Sequence, residues 1–154
     1  MTQNNNPWSE TFKPYINAVK KRFVFLEKTK EYEAPKISIG NRECSIVYWG
    51  LNKVNIAFFH DLGSPSNVFI IPLLITREDG STRSFGLLEV ISVLDSEYLK
   101  KQPASPYSVT DYKLEGLWLD WYAGFLKHNL KKVISPSLKF ICDIEAKRKS
   151  NRLE

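Results

Sequence analysis

A chain of 154 residues with 43% apolar and 25% charged side chains reads as one globular domain, long enough to bury its own core without a metal or disulfide staple. A net charge of +5 and an isoelectric point near 9.1 are too mild for a dedicated nucleic-acid binder, and no apolar run reaches the roughly 18 residues of a membrane helix. The opening MTQNNNPWSE shows no basic-then-apolar leader, so the expectation is a cytoplasmic protein with Cys44 and Cys142 reduced and buried.

Residues 1–8 are predicted to be loose. From Thr11 the pattern turns helical: Phe12, Ile16, Val19, Phe23 and Leu26 recur at spacings of four and three, one face of a 3.6-residue helix. Pro14 fits such a helix only in its first turn, where a missing N–H costs no hydrogen bond, and the helix must fade before Pro35. KISIG is a short alternating segment. Ser45–Trp49 and Val54–Phe59, rich in β-branched and aromatic residues, predict a hairpin turning at Gly50, Asn52 and Lys53. Strands are expected over Val68–Arg77 and Thr82–Val93, joined at Asp79–Gly80, where glycine supplies the positive φ of a tight reversal. Pro72 demands an edge position or a bulge. The nearly continuous apolar run Phe69–Ile75 calls for cover on more than one side of the sheet over part of its length.

Pro103 and Pro106 mark a connector. Thr110 is placed as a helix N-cap with Asp111 on the helix dipole. In the helix that follows, Leu114, Leu117, Trp118, Trp121, Tyr122 and Phe125 fall within one arc at 100° per residue, which Leu119, Leu126, Leu130 and Val133 widen. Gly116, Asp120, Lys127 and Lys131 take the opposite side. That division assigns the tryptophans to the core. Pro136 stops the helix. A last short helix should turn Leu138, Ile141 and Cys142 inward, and residues 147–154 form a charged tail. The expected fold class is α+β in a single domain, 1–154. It is an antiparallel sheet of four to five strands, with an N-terminal helix and the Trp-rich C-terminal helix packed on it.

No residue pattern spells out a chemistry. His60, His128, Cys44 and Cys142 lack zinc-ligand spacing, there is no glycine-rich phosphate loop and no nucleophile elbow, so neither metal nor cofactor is expected. An acid–base or metal-dependent enzyme would have to use His60, Asp61 and Glu89. Glu89 stands out in the apolar GLLEVISV, where it either faces solvent or needs a buried partner. Nucleic-acid binding, the third reading, would rest on Lys127 and Lys131. It lacks a stacking platform, because the aromatics lie opposite the lysines.

The strand NVFIIPLLITRED, the segment STRSFGLLEVISVLD, a proline-bearing connector and the helix LEGLWLDWYAGFLKHNL follow one another over the C-terminal half. This layout resembles immunity proteins of bacterial contact-dependent growth-inhibition, or polymorphic toxin, systems. The resemblance implies a cytosolic, non-catalytic protein that binds a cognate toxin domain stoichiometrically and blocks it. It carries no site residue over. The chain also departs from the family's pattern, since immunity proteins to basic nuclease toxins are often acidic and this chain is basic. If the resemblance holds, the toxin surface is acidic, or it is met through a local acidic patch such as Glu78 and Asp79. From the residues alone, the partner-binding patch is placed on the exposed stripe of Asp120, Lys127 and Lys131.

Overall fold

The computed structural model describes residues 6–62, 66–74, 78–103, 112–134 and 138–153. The chain opens with α1 (Ser9–Arg22) and α2 (Val24–Lys28), then forms β1 (Lys36–Ile39), β2 (Glu43–Tyr48), β3 (Val54–Asp61), β4 (Asn67–Pro72) and β5 (Phe85–Gly86). Helices α3 (Leu87–Leu94), α4 (Ser96–Leu99), α5 (Tyr112–Ile134) and α6 (Leu138–Leu153) complete it. The five strands form one antiparallel meander in sequence order, so the expected α+β class holds.

The register decides which side chains meet the helices. Side chains alternate across a strand. Cys44, Ile46 and Tyr48 therefore share a face with Ile56, Phe58 and His60, and with Val68 and Ile70. That face carries the core. It joins Phe12, Tyr15, Val19 and Phe23 of the N-terminal helices to Leu119, Tyr122, Phe125 and Leu126 of α5, with Val90, Ile91, Ile141 and Ile144 at one side. Phe23 packs edge-on against Phe58 with ring centroids 4.6 Å apart. No residue from the other face of β2–β4 belongs to this cluster.

Several expectations change on contact with the structure. The N-terminal helix begins at Ser9, so Pro14 lies beyond the first turn, and the helix breaks at Phe23 (φ −108°, ψ 14°) before resuming as α2. Asn6 is held by a hydrogen bond from its side-chain amide to the Ile39 carbonyl, and Trp8 Nε1 donates to Asn41. The strand expected over Thr82–Val93 is instead the two-residue β5 followed by α3. Leu87, Val90 and Ile91 are buried at helical spacing. Gly86 is the N-cap, and its backbone N–H is among the influences that hold the carboxyl of Glu89, three residues on, below the usual carboxylate range.

Pro72 ends β4, where β5 no longer reaches, since β5 pairs only with Phe69 and Ile70. Leu73 N–H turns toward β3 and donates to Lys53, so the nitrogen of Pro72 faces the unpaired side. In α5, Leu119, Trp121, Tyr122 and Phe125 of the expected arc are buried, but Leu117, at one edge of it, is 48% exposed and Trp118 only half-buried, so the inward arc leans toward the Leu119 side. Cys142 is exposed, unlike Cys44, because Ile141 and Ile144 take the inward positions of α6. The segment 147–154 is helical through Leu153 rather than a tail. Thr110, Asp111, Pro106 and Pro136 lie outside the described residues.

Candidate functional site

Two concave places stand out, on opposite sides of the sheet. The first is built by the break at Phe23. The last turn of α1 carries Lys20, Lys21 and Arg22, cations that suit the negative end of a helix dipole. The break then turns Val24 and Phe25 toward α5. Arg22 reaches across to α5: its Nε donates to Asp120 Oδ1 at 2.7 Å and its Nη1 to the Ala18 carbonyl at 3.2 Å. The guanidinium rests on Gly116, where an added Cβ would stand 3.1 Å from Nη2. Two turns further, Gly124 leaves room for the Tyr98 hydroxyl, which donates to the Trp121 carbonyl at 2.6 Å; a Cβ there would sit 2.8 Å from that oxygen.

Between these helices lies a groove of about 370 Å³, lined by Lys21, Val24, Phe25, Lys28, Asp120 and Lys127 among others. The Lys127 ammonium lies 5.4 Å from the centre of the Phe25 ring. Val24 is 40% exposed. Asp120 and Lys127, placed on one stripe from the sequence, do meet here. Asp120 is neutralised by Arg22, so the groove is cationic. Lys131 does not line it but borders an adjoining concavity of about 470 Å³ at the end of α5, with Lys127, His128 and Lys132. Lys21, Lys28 and Phe25 were not singled out from the sequence, because they come from a different helix face and only tertiary packing brings them to α5.

The second place is a cleft of about 380 Å³ on the side of the sheet away from the helices. Its lining includes Ser38, Glu43, Ser45, Phe59, Asp61 and Asn67, and also Cys44 and His60. His60 and Asp61 thus border one cleft, but adjacent strand residues project to opposite faces. The imidazole lies in the core layer, stacked on Tyr15 at 4.5 Å and edge-on to Phe12 at 5.9 Å. Burial holds it below its ordinary pKa, with Asp61 opposing, and its Nδ1 has no partner among the described residues.

Glu89 is not at this cleft. It belongs to α3 and accepts two 2.6 Å hydrogen bonds from Nε and Nη2 of Arg148, which tie α6 to α3. Those bonds, ahead of all other influences, hold its carboxyl below the usual range. The trio His60, Asp61 and Glu89 is therefore not assembled. At the hairpin tip, Asp79 Oδ1 accepts from Ser81 N–H and Oγ at 2.9 and 2.6 Å, while Glu78 is exposed.

A buried polar cluster escaped the sequence altogether. The hydroxyls of Tyr15 and Ser66 are 2.6 Å apart. Ser66 also lies beside the carboxyl of Glu115, whose Oε1 has no hydrogen-bond partner among the described residues. Glu115 is only 7% exposed. Burial pushes its pKa up, and Ser66 only partly offsets that. This cluster joins α1, the entry to β4 and the start of α5. Among the described residues, no group of three or more His, Cys, Asp or Glu could hold a metal ion, and no helix is long and apolar enough to cross a membrane. Comparison with protein-family models, with curated proteins and with solved structures finds no match.

Proposed function

We propose that this chain is a non-catalytic binding protein of the cytoplasm, an immunity protein that neutralises a cognate bacterial toxin domain by stoichiometric contact. The observation that carries the reading is the cationic groove between α1–α2 and α5. Lys21, Lys28 and Lys127 ring an apolar floor that includes the exposed Val24 and the Phe25 ring, and Asp120 is already neutralised by Arg22. Apolar anchors within a charged rim are the make-up of a protein interface, where the anchors supply affinity and the rim supplies on-rate and specificity. The charge suits an acidic toxin surface. Lys131, at the adjoining concavity, extends the rim.

A phosphate-contacting role for Lys127 and Lys131 fits less well. Phe25, the aromatic of the groove, lies beneath Lys127 rather than open for base stacking. The acid–base reading is weakened in turn by the seating of His60 against Tyr15 and of Glu89 against Arg148.

The test is co-expression with a toxin domain found encoded beside this gene, together with titration of the purified pair. The expected stoichiometry is one to one. The triple substitution Lys21→Glu/Lys28→Glu/Lys127→Glu should abolish protection and leave the fold intact, since Lys21, Lys28 and Lys127 are all exposed. His60→Ala, Asp61→Ala and Glu89→Gln should each still protect when folded. Loss of protection in all three, with the wild type acting at catalytic amounts, would replace this reading with an enzyme.

A further inference from the structure

The side of the sheet turned away from the helices carries Val47, Phe59, Phe69 and Ile71, none of which belongs to the core cluster, while Asn55 and Ala57 on the same side are themselves buried. Phe59 is 42% exposed and Trp49, just past β2, is 40% exposed. Phe59 and Phe69 meet edge-to-face at 5.6 Å. The apolar run that starts at Phe69 has the composition of a strand covered on both sides. Among the described residues, the core cluster covers only one side. Contiguous apolar surface of this kind marks an interaction site.

The charges of this face are ordered along the strands. Lys36 pairs in register with Val47, which pairs with Ala57, and its ammonium lies 5.1 Å from the centre of the Trp49 ring. Glu43 and Asp61 are cross-strand partners at the far end and border the cleft. Lys36 and the residue paired with Glu43, Gly40, are four positions apart, about 13 Å along the strand. Between the two ends lie Ser38, Ser45, Phe59 and Asn67 in one register row. The face is thus cationic at one end, anionic at the other and aromatic in the middle.

Such a surface complements itself. A two-fold axis lying across the strands near the Phe59 row sets Phe59 against Phe59 of a second copy. It brings each Lys36 to the Glu43 end of the other copy. A two-fold axis along the strands would instead oppose like charges. We propose that the open sheet face is the interface of a symmetric homodimer, in which the cleft at Glu43 and Asp61 receives the Lys36 end of the second copy. The contact is isologous, so each ion pair occurs twice. Five strands about 4.8 Å apart and rows about 3.4 Å apart make a face roughly 20 Å on a side, about 800 Å² over both copies, which is the size of a weak, transient contact and below that of a stable interface. The dimer is accordingly weak and concentration-dependent. This proposal does not depend on the basic groove, which lies on the helical side.

Sedimentation velocity of the full chain from about 1 to 300 μM should show monomer passing to dimer. Phe59→Ser, Lys36→Glu and Glu43→Lys should each weaken the dimer at least about tenfold. Combining Lys36→Glu with Glu43→Lys should restore it, because the exchanged charges face each other again. All three residues are exposed, so the variants keep the fold, checked by circular dichroism. Should Phe59→Ser fail to fold, the charge exchange alone decides. A monomer across the whole range, a dimer indifferent to the single substitutions, or a double exchange that restores nothing would each overturn the proposal.

Discussion

The two faces of the sheet are made by alternate residues of the same strands, yet they lead different lives. On one, Ile46, Ile56, Phe58 and Ile70 are fully buried beneath the helices. On the other, the neighbouring Phe59 is 42% exposed, and Val47 and Phe69 are only half-buried. Phe58 and Phe59 are adjacent and chemically identical. Their separation shows that a side chain's weight in stability comes from what packs over it and not from its type. It also shows where surplus apolar surface is left for a partner.

The sharpest way to break this comparison is to truncate the two phenylalanines in turn. Phe58→Ala should cost about 3–5 kcal/mol, the range for a large-to-small change in a packed core. Phe59→Ala should cost under about 1 kcal/mol, as an exposed substitution does. Urea denaturation at a concentration where the protein is monomeric would measure both; equal costs would mean that something covers the second face within one chain.

The same contrast recurs on α5 at smaller amplitude. Trp121 is 9% exposed and stacks on Tyr98 at 5.0 Å, whereas Trp118 is half-buried. Trp121→Ala should cost about 3 kcal/mol and Trp118→Ala about half as much, since less of it leaves water on folding. Equal magnitudes in thermal or chemical denaturation would place both tryptophans on the inward arc of α5, as the sequence alone does.

Electrostatic pairs should weigh less. Glu89 and Arg148 are each about a third exposed, so their bidentate bond should contribute about 1 kcal/mol after solvent screening. Because the folded carboxyl is held below the ordinary value of about 4.3, this contribution is complete above that pH and fades as pH falls through the folded value. Glu89→Gln should remove both the stability and that slope in a pH series of melting temperatures.

The smallest effect belongs to His60 and has its own pH window. Burial keeps the folded imidazole neutral to lower pH than the free side chain, so the unfolded chain takes up the proton first. Stability therefore declines as pH falls from about 6.5 toward the folded value. His60→Phe, which keeps a ring against Tyr15, should flatten that decline while leaving stability at pH 8 nearly unchanged. An unchanged acid slope would show that the ring is hydrated.

What the sequence determined by itself is local. The spacing of Phe12, Val19, Phe23 and Leu26 sets an N-terminal helical face, and the alternation in Ser45–Trp49 and Val54–Phe59 sets a hairpin. Gly80 takes the positive φ (85°) that the turn was expected to need. These features depend on residues a few positions apart, so a short window contains their cause. Even locally one signal is ambiguous: Leu87, Val90 and Ile91 carry a helical period after the N-cap Gly86, but β-branched composition favours a strand. Tertiary structure decided everything that joins distant segments. The pairing of Glu89 with Arg148 spans 59 positions, that of Arg22 with Asp120 spans 98, and Tyr15 meets Ser66 across 51. The cationic groove, the buried Glu115 and the charge-ordered open face all arise this way. Each needs the relative placement of two or more elements, which is set by how their apolar faces pack and not by the pattern along either one.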